Sequence, residues 1–176
     1  HYAEVHLLLE PGEVGSGIQV CADCSEDLLA RNWQRLIMTH VEEREHKGVL
    51  TGSLLTDVKI TLIAGKAHLK HTEGGDFREA TYRAVRHGLR CAKSILLEPY
   101  YSYEIRVPDS VIGRVMSDMQ KMGATIEPPV SDGEISSICG RAPVSQIQHY
   151  GLTLADFSHG RGQMICTLYG YEECKN

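Results

Sequence analysis

One short connection concentrates the residues of this chain that could bind an anion. It lies in a protein with a formal net charge of −5, and it ends in a pair of glycines at 74–75. Lysines can neutralise phosphate groups, and histidines can stack on bases or donate hydrogen bonds to phosphate oxygens. A solvated polar turn is the competing interpretation, because surface connections are commonly polar. The residues concerned are Lys66, His68, Lys70 and His71.

A second candidate is the pair Cys21 and Cys24, which has the Cys-x-x-Cys spacing of half a zinc site. A structural zinc site needs four ligands, and no second pair of cysteines or histidines with suitable spacing lies near this one. A free cysteine more often serves as a small buried apolar residue. We therefore expect no metal site, and we expect the six scattered cysteines to be reduced thiols.

No motif for nucleotide binding or catalysis is visible. The glycine-rich segment at 12–17 lacks the lysine and the serine or threonine with which a P-loop holds phosphate and magnesium, and Ala-Gly-Lys-Ala at 64–67 is not a Walker motif either. No Ser/His/Asp set or pair of carboxylates stands out, and scattered acidic residues on helices are usually solvated. We expect no catalytic residue in this chain.

Composition describes an ordinary globular protein, with 42% apolar and 23% charged residues. No apolar run approaches the roughly 18 residues that a membrane span needs, and no signal peptide is visible. We therefore expect a cytoplasmic protein without a membrane partner. The chain starts at His1 in a strand-like run, so we expect it to begin inside a larger polypeptide.

Hydrophobic periodicity predicts the elements that flank the basic connection. They are strands at 5–9, 18–21 and 53–63 and helices at 25–48 and 77–94. Gly48 is the expected C-cap of the first helix, and Asp76 is the expected N-cap of the second. The basic connection therefore joins a strand to a helix.

The second half of the chain predicts a separate fold. Its elements are a strand at 101–107, a helix at 111–122, strands at 125–130 and 134–138, a helix at 145–150 and a strand at 164–168. This βαββαβ order is the ferredoxin-like arrangement. Because Pro99 should stop the preceding helix, we place the boundary there. The prediction is an α+β protein with two domains, 1–98 and 99–176.

Three blocks resemble translational GTPases of the elongation factor G type and, among these, the tetracycline ribosomal protection proteins. Residues 2–17 resemble the first long strand and loop of the fourth domain. Leu-Leu-Glu-Pro at 96–99 resembles the passage from the fourth domain to the fifth, and the Gly-Arg and Tyr-Glu-Glu of 160–173 resemble the end of the fifth. All three blocks lie in the family's order.

The resemblance implies a fold and a missing part. Residues 1–98 would be an α/β arm, ribosomal protein S5 domain 2-like, whose N-terminal part is absent, followed by the ferredoxin-like fifth domain. The parent protein would be a GTPase that binds GTP and Mg²⁺ in an N-terminal domain. This fragment would be no enzyme and would hold no cofactor.

The resemblance also implies a partner and contact residues. The end of the arm would enter the decoding region of the small ribosomal subunit, and the connection Gly48, Thr51 and Gly52 would lie beside it. The fragment would be a monomer that binds ribosomal RNA and ribosomal proteins. The expected contacts with ribosomal RNA are Lys66, His68, Leu69, Lys70 and His71, and those of the fifth domain with the ribosome are His159 and Arg161.

Two alternatives stay open. The parent could be an elongation factor G paralogue in translocation or recycling, since elongation factor G shares Gly65 and His68 of this connection, whereas the protection proteins carry Tyr-Ser-Pro-Val at 68–71. The ferredoxin-like half could instead be a small-ligand regulatory module, for which Asp109 and Gly113 near a helix start are the one hint. A ribosome pelleting assay separates this module from the ribosome-binding interpretations.

Overall fold

The computed structural model describes residues 1–175 of the 176-residue chain. Backbone contacts divide it into unit 1, His1–Ile95, and unit 2, Leu96–Asn176. This division falls at 95/96, whereas the sequence placed a boundary at 98/99. No helix among the described residues is long and apolar enough to cross a membrane.

Unit 1 is a three-stranded sheet with two helices. Its elements are β1 (Ala3–Pro11), β2 (Ile18–Ala22), α1 (Arg31–Glu42), β3 (Val58–Ala67) and α2 (Gly74–Cys91). The strand order is β1-β3-β2, in which β1 runs antiparallel to β3 and β2 runs parallel to it. Since β2 and β3 are parallel, their C-terminal ends meet at one end of the unit.

One face of this sheet carries the core of unit 1. Val58, Ile60 and Leu62 of β3 are buried, as their alternation predicted. The helices supply Ile37 and Phe77, both fully buried. The ring of Phe77 lies 5.0 Å from the ring of Trp33, measured between centroids, and joins α1 to α2.

Unit 2 has the ferredoxin-like order. Its elements are β4 (Leu97–Pro108), a 3-10 turn (Asp109–Val111), α3 (Ile112–Lys121), β5 (Val130–Ser131), β6 (Ile135–Pro143), α4 (Val144–Ile147), α5 (Tyr150–Phe157) and β7 (Gln163–Glu173). The strands form an antiparallel sheet in the order β5-β6-β4-β7. The predicted α+β class, with two sheet-containing domains, is confirmed.

The strand predicted at 125–130 is mostly an extended segment held against β6. The N–H of Thr125 donates to the carbonyl of Arg141 at 2.8 Å, and β5 proper begins only at Val130. A Cβ at Gly140 would lie 1.9 Å from the carbonyl oxygen of Thr125, so only glycine permits this approach. The Tyr103 hydroxyl donates to the same carbonyl at 2.6 Å, and burial raises the pKa of Tyr103 to about 12.

The predicted first helix was too long at both ends. α1 begins at Arg31 because Ser25 starts a turn instead, with the N–H of Leu28 donating to its carbonyl at 3.2 Å. The amide of Gln34 then donates to the carbonyl of Leu29 at 2.8 Å and fixes that turn against α1. Gly48 caps no helix, since α1 ends at Glu42.

Two further boundaries differ from the prediction. α2 begins at Gly74, and its N-cap is Glu73, whose N–H donates to a carboxylate oxygen of Asp76 at 2.8 Å. Asp76 is therefore the third helical residue of a capping box rather than the cap. Pro99 stops no helix, because α2 ends at Cys91 and Pro99 lies within β4.

Candidate functional site

The basic connection lies at one end of unit 1, which we call the tip and define as the connections 23–30 and 68–73. β2 ends opposite Leu62, β3 continues to Ala67, and the two connections lead from these strands into α1 and α2. The parallel pairing of β2 with β3 places both connections at this end. The start of β1 joins them, because Ala3 pairs with Ala67.

A hydroxyl fixes the shape of the 68–73 connection. The N–H of His68 donates to Oγ1 of Thr72 at 2.7 Å, and this hydroxyl donates to the carbonyl of Tyr2 at 2.5 Å. The N–H of Tyr2 in turn donates to the carbonyl of His71 at 2.9 Å. The connection is thus tied to the start of β1 rather than loosely attached.

The residues between these anchors are displayed to solvent. The rings of His68 and His71 stack, with centroids 4.6 Å apart and planes at 29°. Leu69 is fully exposed, and Lys70 is exposed beside it. Within residues 1–175, Lys70 forms no ion pair. Stacked imidazoles, an apolar side chain and an unpaired ammonium group suit a base and its phosphate.

Lys66 differs from the other candidates, because it lies in β3 and not in the connection. It pairs across the sheet with Glu4, and its Nζ lies 6.0 Å from the centroid of the Tyr2 ring. The hydrogen bond from the Tyr2 hydroxyl is the main cause that lowers the pKa of Glu4, and the charge of Lys66 contributes. The carboxylate of Glu4 therefore partly offsets the positive charge of Lys66, whereas no carboxylate of the described residues pairs with Lys70.

Sequence reasoning missed the second connection of the tip, 23–30. The N–H of Asp23 donates to the carbonyl of Leu62 at 2.8 Å, which holds this connection beside β3. Its outer residues Glu26, Asp27 and Leu28 are exposed, and Leu29 is buried in the core. The signal was present, because two strands joined by one helix are usually parallel and place their following connections at the same end.

The connection with Gly48, Thr51 and Gly52 does not neighbour the tip, and that prediction is wrong. It forms a hairpin in which the N–H of Gly48 donates to the carbonyl of Ser53 at 2.7 Å. This hairpin precedes β3, whereas the tip follows it. The ten residues of β3 separate the two by about 33 Å.

His159 and Arg161 lie in a turn of unit 2 between α5 and β7. His159 and Gly160 both have positive φ, 55° and 76°. The N–H of Arg161 donates to the carbonyl of Ser158 at 3.1 Å and closes the turn. Both side chains are exposed, and their contact with a ribosome stays a prediction.

The two cysteines of the Cys-x-x-Cys pair make separate contacts, and Cys24 packs against the core cluster of unit 1. The Sγ of Cys21 lies 3.2 Å from the hydroxyl of Thr61, while the thiol of Cys24 donates to the carbonyl of Ser25 at 3.6 Å. Burial raises the pKa of the Cys24 thiol. In the described part of the chain, no three His, Cys, Asp or Glu residues gather as a metal site would require.

Comparison with known proteins gives concordant matches. The family model for elongation factor G domain IV matches residues 1–93, and that for the elongation factor G C-terminus matches residues 95–176. Tetracycline resistance protein TetP of Clostridium perfringens is 31% identical over 98% of this chain and 26% of its own length. A crystal structure from Thermus thermophilus matches with a TM-score of 0.84 at 25% identity, over 97% of this chain and 25% of that one.

Proposed function

Because this chain belongs to the elongation factor G family, we propose that it is the ribosome-binding end of a translational GTPase. The observation that carries this proposal is the tip, where two stacked histidines flank an exposed leucine and a lysine without a counter-charge. In the proposal, the tip enters the decoding region of the small subunit, and the turn with His159 and Arg161 makes a second contact with the ribosome.

The tip recognises RNA through complementary contacts. Lys70 neutralises a phosphate, and the stacked pair of His68 and His71 offers its open ring face to an unstacked base. Leu69 covers apolar surface of the same base. Because Asp27 of the neighbouring connection repels phosphates, the RNA strand favours the 68–71 side; Glu26 adds less to this repulsion, since Arg31 Nε lies 3.6 Å from its carboxylate. Lys66 attracts the strand from a distance, weakened by Glu4.

In the proposal, a GTPase domain outside this chain supplies the energy for the action of the protein on the ribosome. The chain spans about a quarter of the length of the relative and of the solved structure that it matches. In the proposal, GTP and Mg²⁺ bind in a domain outside this chain, and the protein acts as a monomer in the cytoplasm. The identity to a tetracycline resistance protein favours ribosomal protection over translocation as its role.

We expect replacement of Lys70 at the tip and of Lys66 at the end of β3 to weaken ribosome binding in a salt-dependent manner. Lys70→Ala should reduce the slope of log K against log salt by a little under one unit, because one phosphate contact is lost. Adding Lys66→Ala should bring the reduction to about 1 to 2. Pelleting of the 176-residue chain with ribosomes across a salt series measures both slopes.

A matched control removes the same charge at the opposite end of β3. Lys47 lies in the hairpin that precedes β3, and Lys47→Ala should leave the salt slope of ribosome binding unchanged. His68→Ala with His71→Ala should lower affinity at every salt concentration without a change in slope, since a neutral ring stacks but releases no counterion. Equal salt slopes for the Lys70, Lys66 and Lys47 variants would show that the 68–73 connection is a solvated turn that makes no phosphate contact.

A further inference from the structure

Three arginines lie on the exposed side of α2 beyond its first turns, where His87 and Cys91 are also exposed. Arg83, Arg86 and Arg90, which we call the α2 stripe, are all exposed. Their spacing of three and four residues places them on one side of the helix. No aspartate or glutamate occurs from 80 to 97, although the chain contains 23 acidic residues.

The helix itself gives little reason for this charge. Arg90 lies in the last turn, where the helix dipole favours a cation, but Arg83 and Arg86 lie in the helix interior. Neighbouring like charges at this spacing weaken a helix. Arg83 is offset by Glu79, with 2.9 Å between Nε and the carboxylate oxygen. Among residues 1–175, Arg86 and Arg90 have no ion pair.

The position of the stripe relates it to the tip. The N-terminus of α2 follows directly on the 68–73 connection. At about 1.5 Å per residue, Arg83 lies about 13 Å along the helix from Gly74 and Arg90 about 24 Å. The stripe thus begins beyond the acidic residues Glu73, Asp76 and Glu79 of the first turns and forms a second positive surface on the same unit as the tip.

We infer that the α2 stripe binds the phosphate backbone of a ribosomal RNA helix while the tip is engaged. This inference rests on the proposed function and adds a second contact surface to it. The guanidinium group presents a planar fork that binds phosphate oxygens bidentately, and it stays charged at any working pH. A backbone that passes along α2 supplies the negative charge that Arg86 and Arg90 lack within the described chain.

The test removes the three charges together. Arg83→Gln, Arg86→Gln and Arg90→Gln in the 176-residue chain should reduce the salt slope of ribosome binding by about 2 to 3, because each lost phosphate contact contributes a little under one unit. A control with Lys47→Gln, Lys59→Gln and Lys121→Gln removes the same charge from exposed positions elsewhere. Its slope should stay near that of the unaltered chain.

The outcomes separate this inference from the proposed function. If the stripe variant keeps the slope of its control while the tip lysine variant loses slope, the stripe is a solvated helix face and the inference is overturned. If the salt slope of ribosome binding decreases only for the stripe variant, the inference is supported, and the proposed phosphate contacts of Lys66 and Lys70 are contradicted. If the unaltered chain shows no salt-dependent binding to ribosomes, both the inference and the proposed function are contradicted.

A second probe distinguishes RNA from an acidic protein surface. The unaltered chain and the stripe variant are titrated with a short RNA duplex, whose only partner groups are bases, sugars and phosphates. Weaker binding by the variant supports the inference. Loss of ribosome binding without any loss of duplex binding would assign the stripe to an acidic ribosomal protein, and the inference would then be wrong.

Discussion

Gly140→Ala should destabilise unit 2 by about 3 kcal/mol or more. The added Cβ would lie 1.9 Å from the carbonyl oxygen of Thr125 and 2.8 Å from the hydroxyl oxygen of Tyr103. Relief of this overlap moves Thr125 away from β6. Overpacking costs about 1 to 3 kcal/mol, and each hydrogen bond that breaks adds about 1 kcal/mol.

Hydrogen exchange in a urea series measures this effect at β4 and β6 directly. Gly113→Ala is the matched control, because it makes the same chemical change in α3 at a position with no heavy atom within 4 Å. There the alanine should leave stability unchanged or raise it by up to about 1 kcal/mol. Equal protection of β6 in both variants would show that the approach of Thr125 to Gly140 contributes nothing to unit 2.

Phe77→Ala should destabilise unit 1 by about 3 to 5 kcal/mol. The side chain is fully buried in a cluster with Leu29, Ile37 and Leu62. Its loss leaves a cavity beside Trp33, whose ring lies 5.0 Å away between centroids. Since Leu29 belongs to the 23–30 connection and Phe77 to the first turn of α2, the same cavity should loosen both sides of the tip.

Trp33 is the one tryptophan in the chain and reports this loss by its fluorescence in urea. Leu69→Ala serves as the control, because Leu69 is fully exposed at the tip and its truncation should change stability by less than about 0.5 kcal/mol. Phe77→Ala should also weaken ribosome binding under conditions in which it is still folded. A Phe77→Ala midpoint equal to that of Leu69→Ala would contradict the packing described for unit 1.

Much of the architecture was predictable from periodicity. The alternation of Val58, Ile60 and Leu62 predicted the buried face of β3, and the element order predicted the ferredoxin-like sheet. The resemblance to the elongation factor G family is confirmed by both family models. The buried face and the element order depend on a repeat of two or of 3.6 residues, which the sequence displays directly, whereas the resemblance depends on matching blocks such as Leu-Leu-Glu-Pro at 96–99.

Helix ends and one proline were not predictable in the same way. α1 starts late because Gln34 holds the turn at Leu29, a contact that periodicity does not show. Pro99 is tolerated inside β4 because the strand pairs there with Tyr171 of β7, whereas its pairing with β6 begins only at Tyr100. Its missing N–H therefore falls where no β6 partner stands.

For the candidate site, the sequence predicted which residues could bind RNA but not where all of them lie in the fold. Residue types identified 68–71 as a surface that could bind RNA, but they could not tell that Lys66 lies in β3 opposite Glu4. The hairpin at Gly48 and Gly52 was placed at the tip, although strand direction puts it about 33 Å away along β3. The acidic connection at 23–30 was missed because the predicted helix at 25–48 absorbed most of it, whereas α1 begins only at Arg31.

Photocrosslinking from position 69 tests the central claim, that the tip contacts ribosomal RNA in the decoding region, most directly. Leu69 is replaced by a photoreactive phenylalanine derivative, and Leu50, which is 57% exposed in the hairpin at the opposite end of β3, carries it in the control. After irradiation with ribosomes, primer extension maps the crosslinked nucleotides. We predict crosslinks from position 69 to small-subunit RNA at the decoding region and none there from position 50. Crosslinks at the decoding region from position 50 but not from position 69 would contradict the account.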